Sequence, residues 1–170
     1  MDNIILTGYM GSGKTTVGKN VAKLKDYFFV DTDEMIVEQQ RRSINEIFAA
    51  DGELAFRDME TALLRQLIDE KREHLVISTG GGMPIRAENR QLLSELGKVV
   101  YLKACPATIY NRIKGDTTRP LLKCENPMKR IEEMIAEREP LYEEGASIIV
   151  NVDELRQSEA ALEIIENCEE

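Results

Sequence analysis

Gly8-Tyr9-Met10-Gly11-Ser12-Gly13-Lys14-Thr15 decides how this chain folds. It follows a short apolar run, Ile4-Ile5-Leu6, and opens a segment in which Val17, Val21, Ala22 and Leu24 have helical spacing. The pattern G-x-x-x-x-G-K-[ST] between a strand and a helix has the form of a phosphate-binding loop. Its glycines let consecutive backbone N–H groups turn inward and make a nest for phosphate oxygens. The helix that follows adds the partial positive charge of its N-terminus. Lys14 can reach the outer phosphates, and the Thr15 hydroxyl offers one coordination position to Mg²⁺.

Composition narrows the partners. With 170 residues and 42% hydrophobic content, the chain can bury one substantial core, while two independent domains would be cramped. Its 22 basic and 31 acidic residues give a net charge of −9, which argues against nucleic acid or anionic membrane as the main partner. An anionic substrate must then be drawn in by a local cluster of Arg and Lys. No apolar run approaches the roughly 20 residues needed to span a bilayer. A strand begins almost at the N-terminus, which leaves no room for a signal peptide. Cys105, Cys124 and Cys168 are odd in number and widely spaced, and the expectation is a reduced, cytoplasmic protein. With the single histidine, His74, and no Cys/His cluster, a zinc site is not expected.

Further along, Tyr27-Phe28-Phe29-Val30 reads as a second strand ending in Asp31-Thr32-Asp33. Residues two apart on an extended chain share a face, so both carboxylates can enter one site; alternatively, Asp33 caps a helix beginning near Glu34. Ser43-Ile44-Asn45-Glu46 is a capping box, Gly52 interrupts the helix it starts, and a longer helix follows from about 53 to 70. Leu54, Ala62, Leu63, Leu67 and Ile68 are its expected core positions. On that helix Arg57 and Glu60 stand one turn apart, and the pattern alone makes them an exposed ion pair of little value.

Leu75-Val76-Ile77-Ser78 is apolar enough for a buried parallel strand and runs into Thr79-Gly80-Gly81-Gly82-Met83-Pro84. Three successive glycines fit a ligand's close approach to the backbone better than a simple connection. After a helix over 86–96, Val99 to Leu102 forms a fourth strand, and Pro106 opens a helix carrying Arg112 near its end. The polar segment Lys114–Lys123 lacks periodicity and reads as a lid loop. Asn126-Pro127 then caps a helix that ends Arg138-Glu139-Pro140-Leu141-Tyr142, Ser147 to Val150 forms the fifth strand, and Leu155, Leu162 and Ile165 suggest a final packing helix.

The loop, the Asp31-x-Asp33 pair, Phe56-Arg57, the triple glycine, Arg119-Pro120-Leu121-Leu122 and Arg138-Glu139-Pro140-Leu141-Tyr142 together resemble the shikimate kinases of aromatic amino-acid biosynthesis. That resemblance runs from about Asn3 to Val152. It implies a three-layer α/β P-loop NTPase fold of the nucleoside-monophosphate-kinase kind. A five-stranded parallel sheet in the order 2-3-1-4-5 would be flanked by helices, with residues 1–170 as one domain and a mobile lid at about 114–123. The implied reaction moves the γ-phosphoryl group of ATP to the 3-hydroxyl of shikimate, with Mg²⁺ as cofactor and a monomer as the working form.

Carried over by that resemblance, Gly11, Ser12, Gly13, Lys14, Thr15 and Thr16 would hold the phosphates, with Thr15 and Asp31 at the metal. Asp33 would bind the shikimate hydroxyls, and a carboxylate there can accept the attacking hydroxyl's proton or only orient it. Arg57 and Arg138 would hold the acceptor's carboxylate, with Gly80, Gly81 and Gly82 lining the pocket. Arg119 would reach the transferring phosphates, Arg112 would lie near the nucleotide, and Arg156 is the candidate for a further nucleotide contact. Two alternatives stay open: another small-molecule kinase of this fold, acting on gluconate or a nucleoside monophosphate, and a nucleotide-gated binding module. The absence of an Asn-Lys-x-Asp sequence weakens the latter as a GTPase switch.

Overall fold

A computed structural model describes residues 1–116 and 120–170. Its centre is a five-stranded sheet of β1 (Ile4–Thr7), β2 (Phe28–Asp31), β3 (Leu75–Ser78), β4 (Lys98–Lys103) and β5 (Ile148–Asn151). Every pairing is parallel, and the order is β2-β3-β1-β4-β5, as the resemblance implies. The helices are α1 (Lys14–Lys25), α2 (Thr32–Gln40), α3 (Ile44–Asp69), α4 (Ala87–Leu96), α5 (Pro106–Ile113), α6 (Pro127–Gly145) and α7 (Gln157–Glu169). Short 3-10 turns cover Met83–Ile85 and Pro120–Lys123.

The near-continuous apolar strands follow from burial on both faces. Ile4 and Leu6 of β1 join Val76, Val100 and Leu102 in a cluster with Val17 and Val21 of α1. Ile5 points the other way, with Leu75, Ile77 and Val99, into a second cluster with Leu63, Leu64 and Leu67 of α3 and Leu93 and Leu96 of α4. The alternation is the period of two that a strand imposes, and here each face of the sheet has its own layer of helix.

The sequence placed most elements but misjudged which helical faces are buried. Leu63 and Leu67 are buried as expected, but Leu54 is 72% exposed and Ala62 is also exposed, because the core stripe of α3 runs from Phe56 through Glu60 to Leu63, Leu64 and Leu67. Leu162 is 52% exposed; α7 lies on α1 through Ala160, Ala161 and Ile164, where small residues allow close approach. Leu24 likewise faces outward. The expected break in α3 falls at Gly52, whose backbone takes φ 86 and ψ 171, outside helical values. Among the described residues no helix is long and apolar enough to cross a membrane.

Parallel pairing brings the carboxyl ends of the strands to one edge, where open α/β sheets hold their ligands. Leu6 lies beside Ser78, and Ser78 beside Asp31. The phosphate loop, the glycine turn and the aspartate pair therefore meet although they are far apart in the chain.

Candidate active site

The phosphate loop is wound by its glycines. Gly8, Gly11 and Gly13 have φ of 146, 77 and 100, a region other residues rarely enter. Gly8 is crowded as well, since a Cβ there would stand 2.8 Å from the Leu102 carbonyl. Ser12 is buried and its N–H donates to the Tyr9 carbonyl at 3.2 Å. Lys14 folds back over the loop, its Nζ donating to the Gly8 and Tyr9 carbonyls at 2.6 and 3.1 Å. From α5, Arg112 Nη1 donates to the Gly11 and Ser12 carbonyls at 3.2 and 2.9 Å and braces the loop from outside.

A cavity of about 330 Å³ opens above this loop, lined by Lys14, Thr15, Thr16, Asp31, Asp33 and the turn from Ser78 to Gly81. Asp31, rather than Asp33, caps α2: its Oδ1 accepts from the N–H groups of Asp33 and Glu34 at 2.9 and 3.1 Å. The helix begins at Thr32, earlier than the sequence suggested, so the two aspartates converge through a helical turn and not along an extended strand. Both cap bonds use Oδ1, which leaves Oδ2 to meet a cation. Among the described residues no three His, Cys, Asp or Glu are grouped to hold a metal. The Thr15 hydroxyl and the Asp31 carboxylate are oxygen donors of the type Mg²⁺ takes alongside its own waters.

A second cavity, of about 260 Å³, adjoins the first and shares Met10, Asp33, Gly80 and Gly81 with it. Its other walls are Ile44, Phe48, Phe56, Arg57, Glu60, Gly82 and Arg138. Asp33 stands at the junction. Its Oδ1 is buried without a hydrogen-bond partner, and its pKa is pushed up by burial and by Asp31, against the pull of Lys14 and Arg57. A carboxylate oxygen in that position is ready to accept from a hydroxyl.

Two glycines of the turn leave room for the protein's own groups as much as for a ligand. A Cβ on Gly80 would stand 2.6 Å from Asp33 Oδ1 and 3.2 Å from Glu60 Oε2, and one on Gly82 would collide with the Arg57 guanidinium. Gly81 is less crowded and borders both cavities. The turn is held by Gly80 N–H donating to Thr32 Oγ1 at 3.0 Å, by Thr79 N–H donating to the Leu6 carbonyl at 3.1 Å, and by the Tyr142 hydroxyl donating to the Gly81 carbonyl at 2.6 Å. Arg138, one turn before Tyr142, lies with its Cζ 5.8 Å from the Tyr9 ring centre.

Glu60 overturns the expectation of an exposed pair. It is fully buried, accepts from Arg57 Nη1 at 2.6 Å through Oε1, and has no partner for Oε2. Burial pushes its pKa up to about 7, against Arg57, while Asp33 adds to the rise. The readable signal was its register, since Phe56, Glu60, Leu63 and Leu67 follow one helical stripe. Phe48 also belongs to the site and stood in no motif, whereas Thr32 and Tyr142 lay inside motifs with no role of their own assigned. Arg156 is exposed at the N-cap of α7; its N–H donates to Glu159 Oε2 at 2.8 Å, and among the described residues it makes no bond to the loop. Arg119 lies outside the described residues.

Comparison with known proteins gives one answer. The family model described as shikimate kinase matches residues 10–169. The shikimate kinase of Thermodesulfovibrio yellowstonii is 43% identical over 169 residues, covering 99% of this chain and 96% of that one. Its counterpart from Ralstonia nicotianae is 45% identical over 152 residues, covering 88% and 78%. Among solved structures, the Acinetobacter baumannii shikimate kinase in complex with shikimate has a TM-score of 0.90 at 37% identity, covering 98% of this chain and 92% of that one. The Bacteroides thetaiotaomicron enzyme also scores 0.90, at 33% identity, and covers 99% of both. A family match over nearly the whole chain, in a fold that carries the phosphate loop and a second, arginine-walled cavity, leads to one conclusion: this chain belongs to the shikimate kinase family.

Proposed function

We propose that this chain transfers the γ-phosphoryl group of ATP to the 3-hydroxyl of shikimate, giving shikimate 3-phosphate and ADP for aromatic amino-acid biosynthesis. The observation that carries this reading is the junction of the two cavities at Asp33, with an anion nest on one side and two arginines on the other. Phosphoryl transfer requires alignment and positive charge more than covalent help. The loop amides and Lys14 hold the donor's β- and γ-phosphates. Thr15 and Asp31 would hold Mg²⁺, which when bound would supply positive charge to those phosphate oxygens. Arg57 and Arg138 grip the acceptor carboxylate, for which a planar guanidinium offers two parallel donors. Asp33 takes the attacking hydroxyl's hydrogen bond and orients it toward the donor. Its raised pKa brings it nearer the working range of a base.

Arg112 supports the nucleotide end of the loop, and the resemblance assigns Arg119 to the transferring phosphates. Residues 1–170 act as one kinase domain with 114–123 as its lid, working as a cytoplasmic monomer without nucleic acid or membrane. The test is ADP formation with Mg²⁺ and ATP in the presence of shikimate, gluconate, AMP or no acceptor. Stimulation by shikimate alone is the expected result. Stimulation by gluconate or AMP, or an equal rate without acceptor, would replace this reading by one of its rivals.

A further inference from the structure

Arg57 and Arg138 stand on different helices, α3 and α6, on the walls of one acceptor cavity. A third element joins them. We propose that Asn89 and Arg90 of α4 are positioning residues that fix the two carboxylate-binding arginines on either side of the glycine turn; this rests on the acceptor reading above.

The two residues grip consecutive carbonyls just beyond the triple glycine. Asn89 Nδ2 donates to the Met83 carbonyl at 2.9 Å, and Arg90 Nη1 donates to those of Pro84 and Ile85 at 2.9 and 2.8 Å. Each also reaches one of the arginine-bearing helices. Asn89 Oδ1 accepts from the Thr61 hydroxyl at 2.7 Å, and that hydroxyl lies 3.1 Å from the backbone carbonyl of Arg57. On the other side, Arg90 Nη2 is 3.6 Å from Glu144 Oε2 near the end of α6, and Gly145 is packed against its methylene stem.

One dipeptide therefore joins the turn, the α3 segment carrying Arg57 and the helix carrying Arg138. Asn89 is completely buried, and removing its amide would take the Asn89 donor from the Met83 carbonyl and cut the link between the Thr61 hydroxyl and α4. Neither Asn89 nor Arg90 borders the acceptor cavity, so neither touches the acceptor. Their effect is on placement, to which a two-armed grip on a carboxylate is sensitive.

A second buried asparagine supplies the control. Asn3 sits at the opposite end of the sheet, where Nδ2 donates to the Arg72 and Leu96 carbonyls at 2.8 and 2.9 Å and Oδ1 accepts from Leu75 N–H at 2.9 Å. Asn89→Ala and Asn3→Ala both lose buried hydrogen bonds, but only the former loosens the arginines. Steady-state kinetics of both variants, beside Thr61→Val and Arg90→Met, is the experiment. Asn89→Ala should raise KM for shikimate by about tenfold or more with KM for ATP within about twofold, as a loss of acceptor placement requires. Thr61→Val and Arg90→Met should move the same constant in the same direction, and either keeps the test alive if Asn89→Ala does not fold. Asn3→Ala should lower Tm without that split. Hydrogen exchange at residues 80–85, read without any ligand, should quicken in Asn89→Ala and not in Asn3→Ala. Equal changes in both asparagine variants, or normal KM for shikimate in all three α4-network variants, overturn the positioning role. Wild-type enzyme inert toward shikimate would instead defeat the acceptor reading; the exchange comparison would then decide whether the brace exists.

Discussion

Between Gly8 and Thr15 one unbroken stretch of backbone forms the donor side of the cleft, whereas the acceptor side draws on Asp33, Arg57, Glu60, the glycine turn and Arg138 from separate parts of the chain. The donor side is mostly backbone shaped by torsion angles, with Lys14 as the charged side chain that the loop itself carries. The acceptor side draws mainly on side chains, and two of its carboxylate oxygens, Asp33 Oδ1 and Glu60 Oε2, are buried without a partner. Such a construction is costly to maintain, because buried charges lack the solvent that would relax them. Discrimination between acceptors has to come from that side, where contacts can be changed one residue at a time. The donor side holds phosphates and needs little else.

The largest effect should come from Lys14→Ala. Losing a cation at the β- and γ-phosphates should lower kcat by at least about a hundredfold, while circular dichroism stays that of the wild type. A variant with near-normal turnover would remove the donor side's main charge from the chemistry. Asp33→Asn follows, with kcat reduced by about two orders of magnitude if the carboxylate accepts the hydroxyl proton, and by far less if it only orients it. Its Mg²⁺ titration should match the wild type if the metal is held by Asp31, as proposed; a shifted titration would merge the roles of the two aspartates.

Arg57→Ala and Arg138→Ala should each weaken shikimate binding by roughly 1.5–3 kcal/mol, the range of a charge-assisted hydrogen bond. ATP affinity should be almost unchanged, and lysine should restore only part of the loss, because an ammonium lacks the planar fork. Calorimetry that finds both substrates weakened equally would break the division into donor and acceptor sides.

The smallest and most diagnostic effect concerns Glu60. Its folded pKa, pushed up to about 7 by burial, lies above its ordinary 4.5. A group shifted in that direction binds more protons in the folded state, so its contribution to stability is complete below about 4.5 and is lost as pH rises through about 7. Glu60→Gln cannot titrate. The difference in Tm between variant and wild type should therefore move in the variant's favour from pH 5 to pH 8, by a few degrees in keeping with a shift of this kind in a domain of this size. Parallel pH curves for the two proteins would mean that Glu60 stays ionised throughout.

The same contrast explains what could be read before any coordinates. The phosphate loop is contiguous, and its residue types are dictated locally by backbone geometry, so its sequence carries its meaning. The strands were legible because burial on both faces makes them apolar throughout. Their order was not, since parallel pairing depends on crossovers that local pattern does not encode; it came from the resemblance. Periodicity locates α3 and its buried Leu63 and Leu67, but hydrophobicity alone points Leu54 inward and Glu60 outward, the reverse of what the fold does. In α7 the buried face uses alanines, whose weak hydrophobic signal lost to Leu162. The capping role of Asp31 was hidden because either aspartate suits an N-cap by composition. Arg57 was visible only within a set of motifs, as its partners Glu60 and Gly82 are neighbours in space and not a pattern in sequence.

Gly52 has a consequence for how acceptor preference can change over generations. Its torsion angles end one helical run and start another, with Ile44 and Phe48 before it and Phe56 and Arg57 after it, all of them walls of the acceptor cavity. A Cβ there would touch nothing within 4 Å, so an L-residue would meet no clash, only a disfavoured φ of 86. A substitution at 52 thus acts on the angle between two walls and leaves every guanidinium and carboxylate chemically as it was. The angle between those two walls therefore rests on one residue that itself lies outside the cavity lining.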